Sequence, residues 1–159
     1  MIKYFGFALI LASGILVSRE YEKNQRKRLL ELSDFIRLFE HIKLKISHFL
    51  SPKSDWLSDF SSSSDTVAEF LSSAEKISLS ASFEKCENKL SLGAERRLIS
   101  EVFSSLGRSY KDGEIELLES AVNTLKSENL RLATECEKNV KTFKVLAAAV
   151  SLGLIILFI

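Results

Sequence analysis

Apolar and polar residues recur with the period of an α-helix through most of the chain. From Leu32 to Phe49 the apolar residues lie three or four positions apart, which places them on one face of a helix. No glycine or proline separates Ser18 from Pro52, so this face continues from the uncharged segment Tyr4–Val17 without a helix breaker. The pattern predicts one continuous helix from the N-terminus to Leu50.

Ser51 and Pro52 mark the first corner. Serine is a common N-cap and proline is favoured at the first helical position, so a short helix carrying Trp56 and Phe60 is predicted to follow. The serine run Ser61–Ser64 is predicted to be a loop that ends in an N-cap. Three further helices are predicted from apolar stripes in Val67–Ala74, from Ser82 to Leu90, and in Leu98–Leu106.

Gly107 marks the second corner, because glycine takes the left-handed conformation that commonly ends a helix without strain. The final helix has apolar residues at heptad spacing: Ile115, Leu118, Val122, Leu125, Leu132, Cys136 and Phe143. This pattern runs directly into the uncharged segment Val145–Ile159. The predicted fold is therefore all-α, a bundle of about six helices whose first and last helices continue into the two apolar ends.

The apolar ends are predicted to be transmembrane helices, at residues 1–18 and 145–159, around a helical domain at residues 19–144. Each uncharged run is shorter than the ~20 residues that span a bilayer, but flanking lysines can extend their side chains towards the headgroups. Basic residues follow the first segment and precede the second, which favours a cytosolic domain with both termini outside. A cleaved signal peptide is the disfavoured alternative, because only Lys3 precedes the first segment.

Composition and motifs offer no candidate for catalysis. The formal charge of +1 argues against a dedicated nucleic-acid binder. Cys86 and Cys136 lack metal-site or disulfide spacing and are predicted to be reduced core residues. His41 and His48 have no nearby third ligand, and the chain lacks a glycine-rich phosphate loop. We therefore expect no enzymatic activity, no metal, no cofactor and no small-molecule substrate.

The order of these features resembles the stage III sporulation protein AB family of endospore-forming bacteria. The N-terminal stretch MIKYFGFALILASG leads into a helix that ends in Ile46, a short polar stretch and Pro52, as it does in that family. Leu106-Gly107 matches the family's leucine-glycine pair. Tyr110 stands where the family has an aspartate, and Glu114 stands where it has a glutamine.

The resemblance implies a non-enzymatic scaffold in a secretion-like complex that joins mother cell and forespore. The family's cytosolic domain is similar to the helical domain of the type II secretion system inner-membrane F protein. The implied partners are the lipid bilayer, a cytosolic secretion-type ATPase and other membrane proteins of the complex. The implied location is the mother-cell membrane that surrounds the forespore.

The two corners are expected at the end of the domain that lies far from the membrane. Pro52 and Gly107 are predicted to be structural corners, and Arg108, Tyr110, Lys111 and Asp112 are hypothesised to contribute to partner docking. The alternative is that these four residues only close a helix corner. Two other functions stay open: a two-helix membrane receptor or sensor, and an adaptor that regulates an ATPase outside sporulation.

Overall fold

A computed structural model describes residues 2–49 and 55–158, and the side chains of residues 13, 15–48, 55–150, 152 and 153 within them. The secondary structure of this part of the chain is entirely helical, which confirms the predicted all-α class. It comprises five α-helices and one 3₁₀ turn: α1 (Ile2–Phe49), α2 (Asp65–Ala74), α3 (Leu79–Cys86), the 3₁₀ turn (Glu87–Lys89), α4 (Glu95–Ser105) and α5 (Lys111–Phe158).

The two longest helices are unbroken, as their patterns predict. α1 and α5 each contain 48 residues. The chain divides into two compact units, to which both helices contribute. We call Lys27–Arg131 the bundle unit, and we call Met1–Arg26 together with Leu132–Ile159 the terminal unit.

Phenylalanines supply the core of the bundle unit, and each of the first four helices contributes at least one. Phe35 of α1 lies 5.6 Å from Phe70 of α2 and 5.7 Å from Phe83 of α3, measured between ring centroids. Phe103 of α4 lies 5.3 Å from both Phe39 and Phe70. All five side chains are at most 4% exposed. Burial of such a side chain contributes about 1.5–3 kcal/mol, so this cluster holds four helices together.

α5 packs within the bundle unit through its apolar stripe. Leu118 and Leu125 are fully buried, and Val122 is nearly so. Ion pairs accompany this stripe at the surface, where Lys126 Nζ lies 2.6 Å from Glu40 Oε1 of α1. Five of the seven predicted heptad residues are buried, whereas Ile115 and Phe143 are half-buried.

The prediction of a short helix after Pro52 is wrong for residues 55–60. Pro52 itself lies outside the described residues. Asp55–Phe60 forms turns, in which the Ser58 N–H donates to the Asp55 carbonyl at 3.1 Å. Asp59 has a φ of 63°, a left-handed conformation that aspartate tolerates and that interrupts an α-helix. The described residues thus contain five α-helices, one fewer than the predicted six.

The predicted membrane-spanning helices find no support in the structure. Among the residues described, no helix combines the length and the apolar character needed to cross a membrane. The domain boundaries at residues 18 and 144 remain a prediction.

Both cysteines are free and buried, which confirms the predicted core positions. Cys86 is 4% exposed at the end of α3, and Cys136 is 9% exposed in α5. Cys86 belongs to the bundle unit and Cys136 to the terminal unit.

Candidate functional site

The corner between α4 and α5 is formed by backbone hydrogen bonds around Gly107. The Leu106 N–H donates to the Val102 carbonyl at 2.9 Å at the end of α4. Gly107 has a φ of 80°, in the left-handed region that glycine adopts without steric cost. α5 then starts at Lys111, and the Glu114 N–H donates to the Tyr110 carbonyl at 3.0 Å. The chain reverses within a few residues.

The four predicted docking residues follow Gly107 and are all exposed, but they face different surroundings. Tyr110 is 94% exposed, the largest exposure among the exposed large hydrophobic side chains of the described residues. Lys111 Nζ donates to the Ser47 carbonyl oxygen at 2.9 Å, which ties the start of α5 to the last turn of α1. Asp112 lies on a shallow face of α5 beside Glu116.

Arg108 lines a cleft of about 720 Å³ in the bundle unit. Trp56 and Phe103 line the cleft as buried aromatic side chains, while Ile77 is 43% exposed. Gly107 and Leu106 form another part of its wall. The cleft therefore combines apolar side chains with the exposed guanidinium of Arg108, which is a surface suited to an apolar side chain of a partner protein.

The sequence patterns did not identify this cleft. Trp56 was predicted on a helix, and Ile77 lies in the turn after α2, outside every apolar stripe. Ile77 itself is the only signal in the sequence, because it is a large apolar residue between Lys76 and Ser78, in a loop that is expected to be polar. One such residue does not define a site.

A buried carboxylate of α1 fixes the loop that precedes α2. Asp34 Oδ2 accepts the backbone N–H groups of Ser63 and Ser64, each at 2.8 Å. Arg37 Nη1 donates to Asp34 Oδ1 at 3.2 Å, and the Asp34 side chain is only 1% exposed. Ser64 is the N-cap residue, as predicted, but its side chain makes no capping bond, and Asp34 instead fixes the backbone at and before the cap.

Two further buried carboxylates fix the loop between the 3₁₀ turn and α4. Glu31 Oε2 accepts the Ser91 N–H at 2.6 Å. Arg28 Nη2 donates to both oxygens of Glu95, at 2.8 and 3.1 Å, and the Gly93 N–H donates to Glu95 Oε2 at 2.9 Å. A Cβ atom at Gly93 would overlap the Arg28 guanidinium, so a larger residue here would require that side chain to shift.

The hydrogen bonds to Glu95 determine its charge. Burial would raise the pKa of the Glu95 carboxyl, but its own backbone N–H, the Arg28 guanidinium and the Gly93 N–H together lower that pKa below the ordinary value of 4.5. Glu95 is therefore ionised at neutral pH. Glu95 anchors the loop before α4, because it binds both Arg28 of α1 and the Gly93 N–H of the loop itself.

The histidines and acids form no metal centre in the part of the chain that the structure describes. His41 Nε2 lies 2.9 Å from the Ser58 carbonyl oxygen, and its ring lies 5.6 Å from Phe60. His41 therefore contacts the turn Asp55–Phe60 rather than a group of potential ligands.

The terminal unit exposes a group of large apolar side chains. Tyr21 and Phe143 stack with ring centroids 4.8 Å apart, and Lys144 Nζ lies 2.6 Å from Glu22 Oε2, so α1 and α5 contact each other in this unit. Beyond these contacts, the following side chains are 56–64% exposed: Ile15, Leu16, Val17, Val145, Leu146, Val150 and Leu152. Several large exposed apolar side chains on neighbouring helix segments are typical of a surface that contacts lipid or another protein.

Comparison with known proteins identifies one family. A family model described as stage III sporulation protein AB matches residues 3–159. No curated protein and no solved structure gives a significant match.

Proposed function

This chain belongs to the stage III sporulation protein AB family, and from that premise we propose that it is a non-enzymatic, membrane-associated scaffold of a secretion-like complex formed during sporulation. The family supports a role in sporulation. The observation that carries the rest is the group of exposed apolar side chains in the terminal unit, because burial of such side chains in a bilayer is favourable.

Membrane association is proposed to occur through both ends of the chain. Leu16 is 64% exposed on α1 and Leu146 is 57% exposed on α5. Each end provides only a short apolar run, so the two ends are proposed to enter the bilayer together. The proposed location is the mother-cell membrane around the forespore, with the bundle unit in the cytosol.

Flotation with lipid vesicles tests this association. The full chain is expected to float with phosphatidylcholine vesicles, whereas the variant with Leu16→Asp and Leu146→Asp is expected to remain unbound. Leu44→Asp is the matched control, since Leu44 is 50% exposed but belongs to the bundle unit. Flotation of the double variant at the wild-type level would contradict the proposal.

The bundle unit is proposed to dock a cytosolic secretion-type ATPase and to contact other membrane proteins of the complex. The proposed surface, which we call the corner surface, comprises the cleft together with Arg108 and Tyr110. Its support is chemical: a nearly fully exposed tyrosine lies two residues after an exposed arginine that lines a cleft of mixed polar and apolar side chains, and tyrosine and arginine are enriched among residues that dominate binding energy. Lys111 and Asp112 are proposed as secondary contacts.

A pull-down with a cytosolic secretion-type ATPase from the same cells tests the corner surface. Tyr110→Ala and Arg108→Glu are each expected to weaken binding by about tenfold or more. Lys85→Glu is the control, because Lys85 is an exposed cation of α3 that lies outside the corner surface. Equal binding by all three variants would show that the ATPase binds elsewhere.

A further inference from the structure

Four basic side chains of the terminal unit are exposed, and no ion pair of the described residues includes them. Arg19 and Lys23 lie on α1, and Lys138 and Lys141 lie on α5. The neighbouring cations differ, because Arg26 and Lys144 both contact the carboxylate of Glu22. We call these four residues the basic collar.

The collar residues are grouped on their helices. Arg19 and Lys23 are four positions apart and Lys138 and Lys141 are three apart, so each pair shares a helix face. Glu20, the residue after Arg19, lies about 100° around α1 from it. Glu20 also lies three positions before Lys23, so an exposed carboxylate borders this pair of cations.

The collar directly adjoins the exposed apolar side chains. At 1.5 Å per residue, all four basic residues lie within about 10 Å, along their own helix, of Val17 or Val145. Val17 and Val145 are 58% and 64% exposed. If the apolar side chains enter a bilayer, the collar lies at the depth of the lipid headgroups, within about one Debye length of the membrane surface.

We propose that the basic collar binds the phosphates of anionic phospholipids, so that the protein selects a negatively charged membrane. This inference rests on the proposed membrane association. Lipid phosphate is the occupant that fits, because it alone presents negative charge immediately beside the hydrocarbon that the adjoining valines and leucines require. The two ion pairs of Glu22 leave that carboxylate neutralised and therefore unable to compete for the collar. Hydrogen bonds from Lys144 and then Arg26 lower the pKa of the exposed Glu22 carboxyl, which agrees with this pairing.

The test compares binding of the full chain to vesicles of phosphatidylcholine alone and of phosphatidylcholine mixed with phosphatidylglycerol. We expect binding to the anionic vesicles to be about tenfold stronger or more at low salt, and that advantage to vanish at about 1 M salt. Arg19→Gln with Lys23→Gln should reduce the advantage, and adding Lys138→Gln with Lys141→Gln should abolish it. Binding to neutral vesicles should remain unchanged. Lys76→Gln with Lys85→Gln removes two exposed cations of the bundle unit and should leave the preference intact.

Three results would each contradict a different part of these proposals. Equal binding of the wild-type chain to neutral and anionic vesicles would overturn the lipid selectivity while leaving membrane association in place. Retention of the preference by the fourfold variant would overturn the assignment to the collar. Absence of binding to either vesicle would overturn the proposed membrane association itself, together with the inference that depends on it.

Discussion

The carboxylate of Asp34 accepts the backbone N–H groups of Ser63 and Ser64, the two residues that precede α2, although Asp34 lies on α1. A helix start leaves several N–H groups without a partner, and a buried group of this kind must be satisfied. Asp34 supplies that partner from a different helix, so the position of the serine loop depends on α1. A residue that reads as an ordinary polar position of an amphipathic helix is thus a structural anchor.

Removal of this carboxylate should destabilise the bundle unit. Asp34→Ala leaves the buried Ser64 N–H and the part-buried Ser63 N–H without their acceptor, so we expect a loss of about 2–4 kcal/mol in the free energy of unfolding. Asp34→Asn keeps one carbonyl oxygen and should cost less. Urea unfolding measures both, with Glu84→Ala on the exposed side of α3 as a control that should change stability by about 0.5 kcal/mol or less. Equal stability of Asp34→Ala and wild type would refute the capping role.

Glu95 should make stability depend on pH. Its pKa is lowered in the folded state, so its ionised form stabilises the fold above the ordinary pKa of 4.5. This contribution should be lost as pH falls from about 4.5 through the lower, folded-state pKa. Urea unfolding at neutral and acidic pH measures the effect. The variant Glu95→Gln should flatten the dependence in that window, and an unchanged slope would contradict the assignment.

At the scale of whole elements, the long helices were predictable and the short connections were not. α1 and α5 carry apolar stripes over many turns, and a periodic signal becomes reliable as it lengthens. The segment after Pro52 is too short to carry a repeated apolar stripe, so its conformation could not be inferred from periodicity. Asp59 adopts a left-handed conformation there, which no apolar spacing could indicate.

The observed boundaries of a short helix also differ from the predicted ones. The third middle helix was predicted from about Ser82 to Leu90, whereas α3 spans Leu79–Cys86 and continues as a 3₁₀ turn. Ser78 is the N-cap, and its side chain accepts the Ala81 N–H at 3.3 Å. The apolar positions located the helix, but its start depends on a capping bond that several neighbouring serines could equally have made.

The corner at Gly107 provides a prediction at this scale. Gly107→Ala forces an alanine into a φ of 80°, so we expect a loss of about 1–2 kcal/mol in the free energy of unfolding. Gly153→Ala is the matched control, since it lies in α5 and an added Cβ meets no atom within 4 Å. That substitution should be neutral or stabilising by about 0.5–1 kcal/mol. Urea unfolding compares the two, and equal effects would mean that the left-handed conformation does not matter.

At the scale of the whole molecule, the apolar ends and the charges around them predict that the bundle unit lies on the cytosolic side of the membrane. The buried cysteines permit a direct test, because a new exposed cysteine can be labelled against a low background. Lys76→Cys, on an exposed position of the bundle unit, should react with a membrane-impermeant thiol reagent only after the cells are permeabilised. Labelling in intact cells would instead place the bundle unit outside and favour a receptor-like role.

The candidate site was predictable only in part. Arg108, Tyr110, Lys111 and Asp112 follow a glycine between two strong helical stripes, so their exposure could be inferred from local sequence. The cleft beside Arg108 could not, because it forms where Trp56, Ile77 and Phe103 come together from distant parts of the chain. Long-range contacts of this kind leave no periodic signal.

The phenylalanine cluster has a consequence for synthesis of the chain. Phe35 and Phe39 are made first, and their partner Phe103 follows roughly 70 residues later. At about 5–20 residues per second, the apolar face of α1 stays uncovered for several seconds while translation continues. The bundle therefore closes late, and substitutions that delay α4 should expose nascent chains to aggregation even where the finished fold is stable.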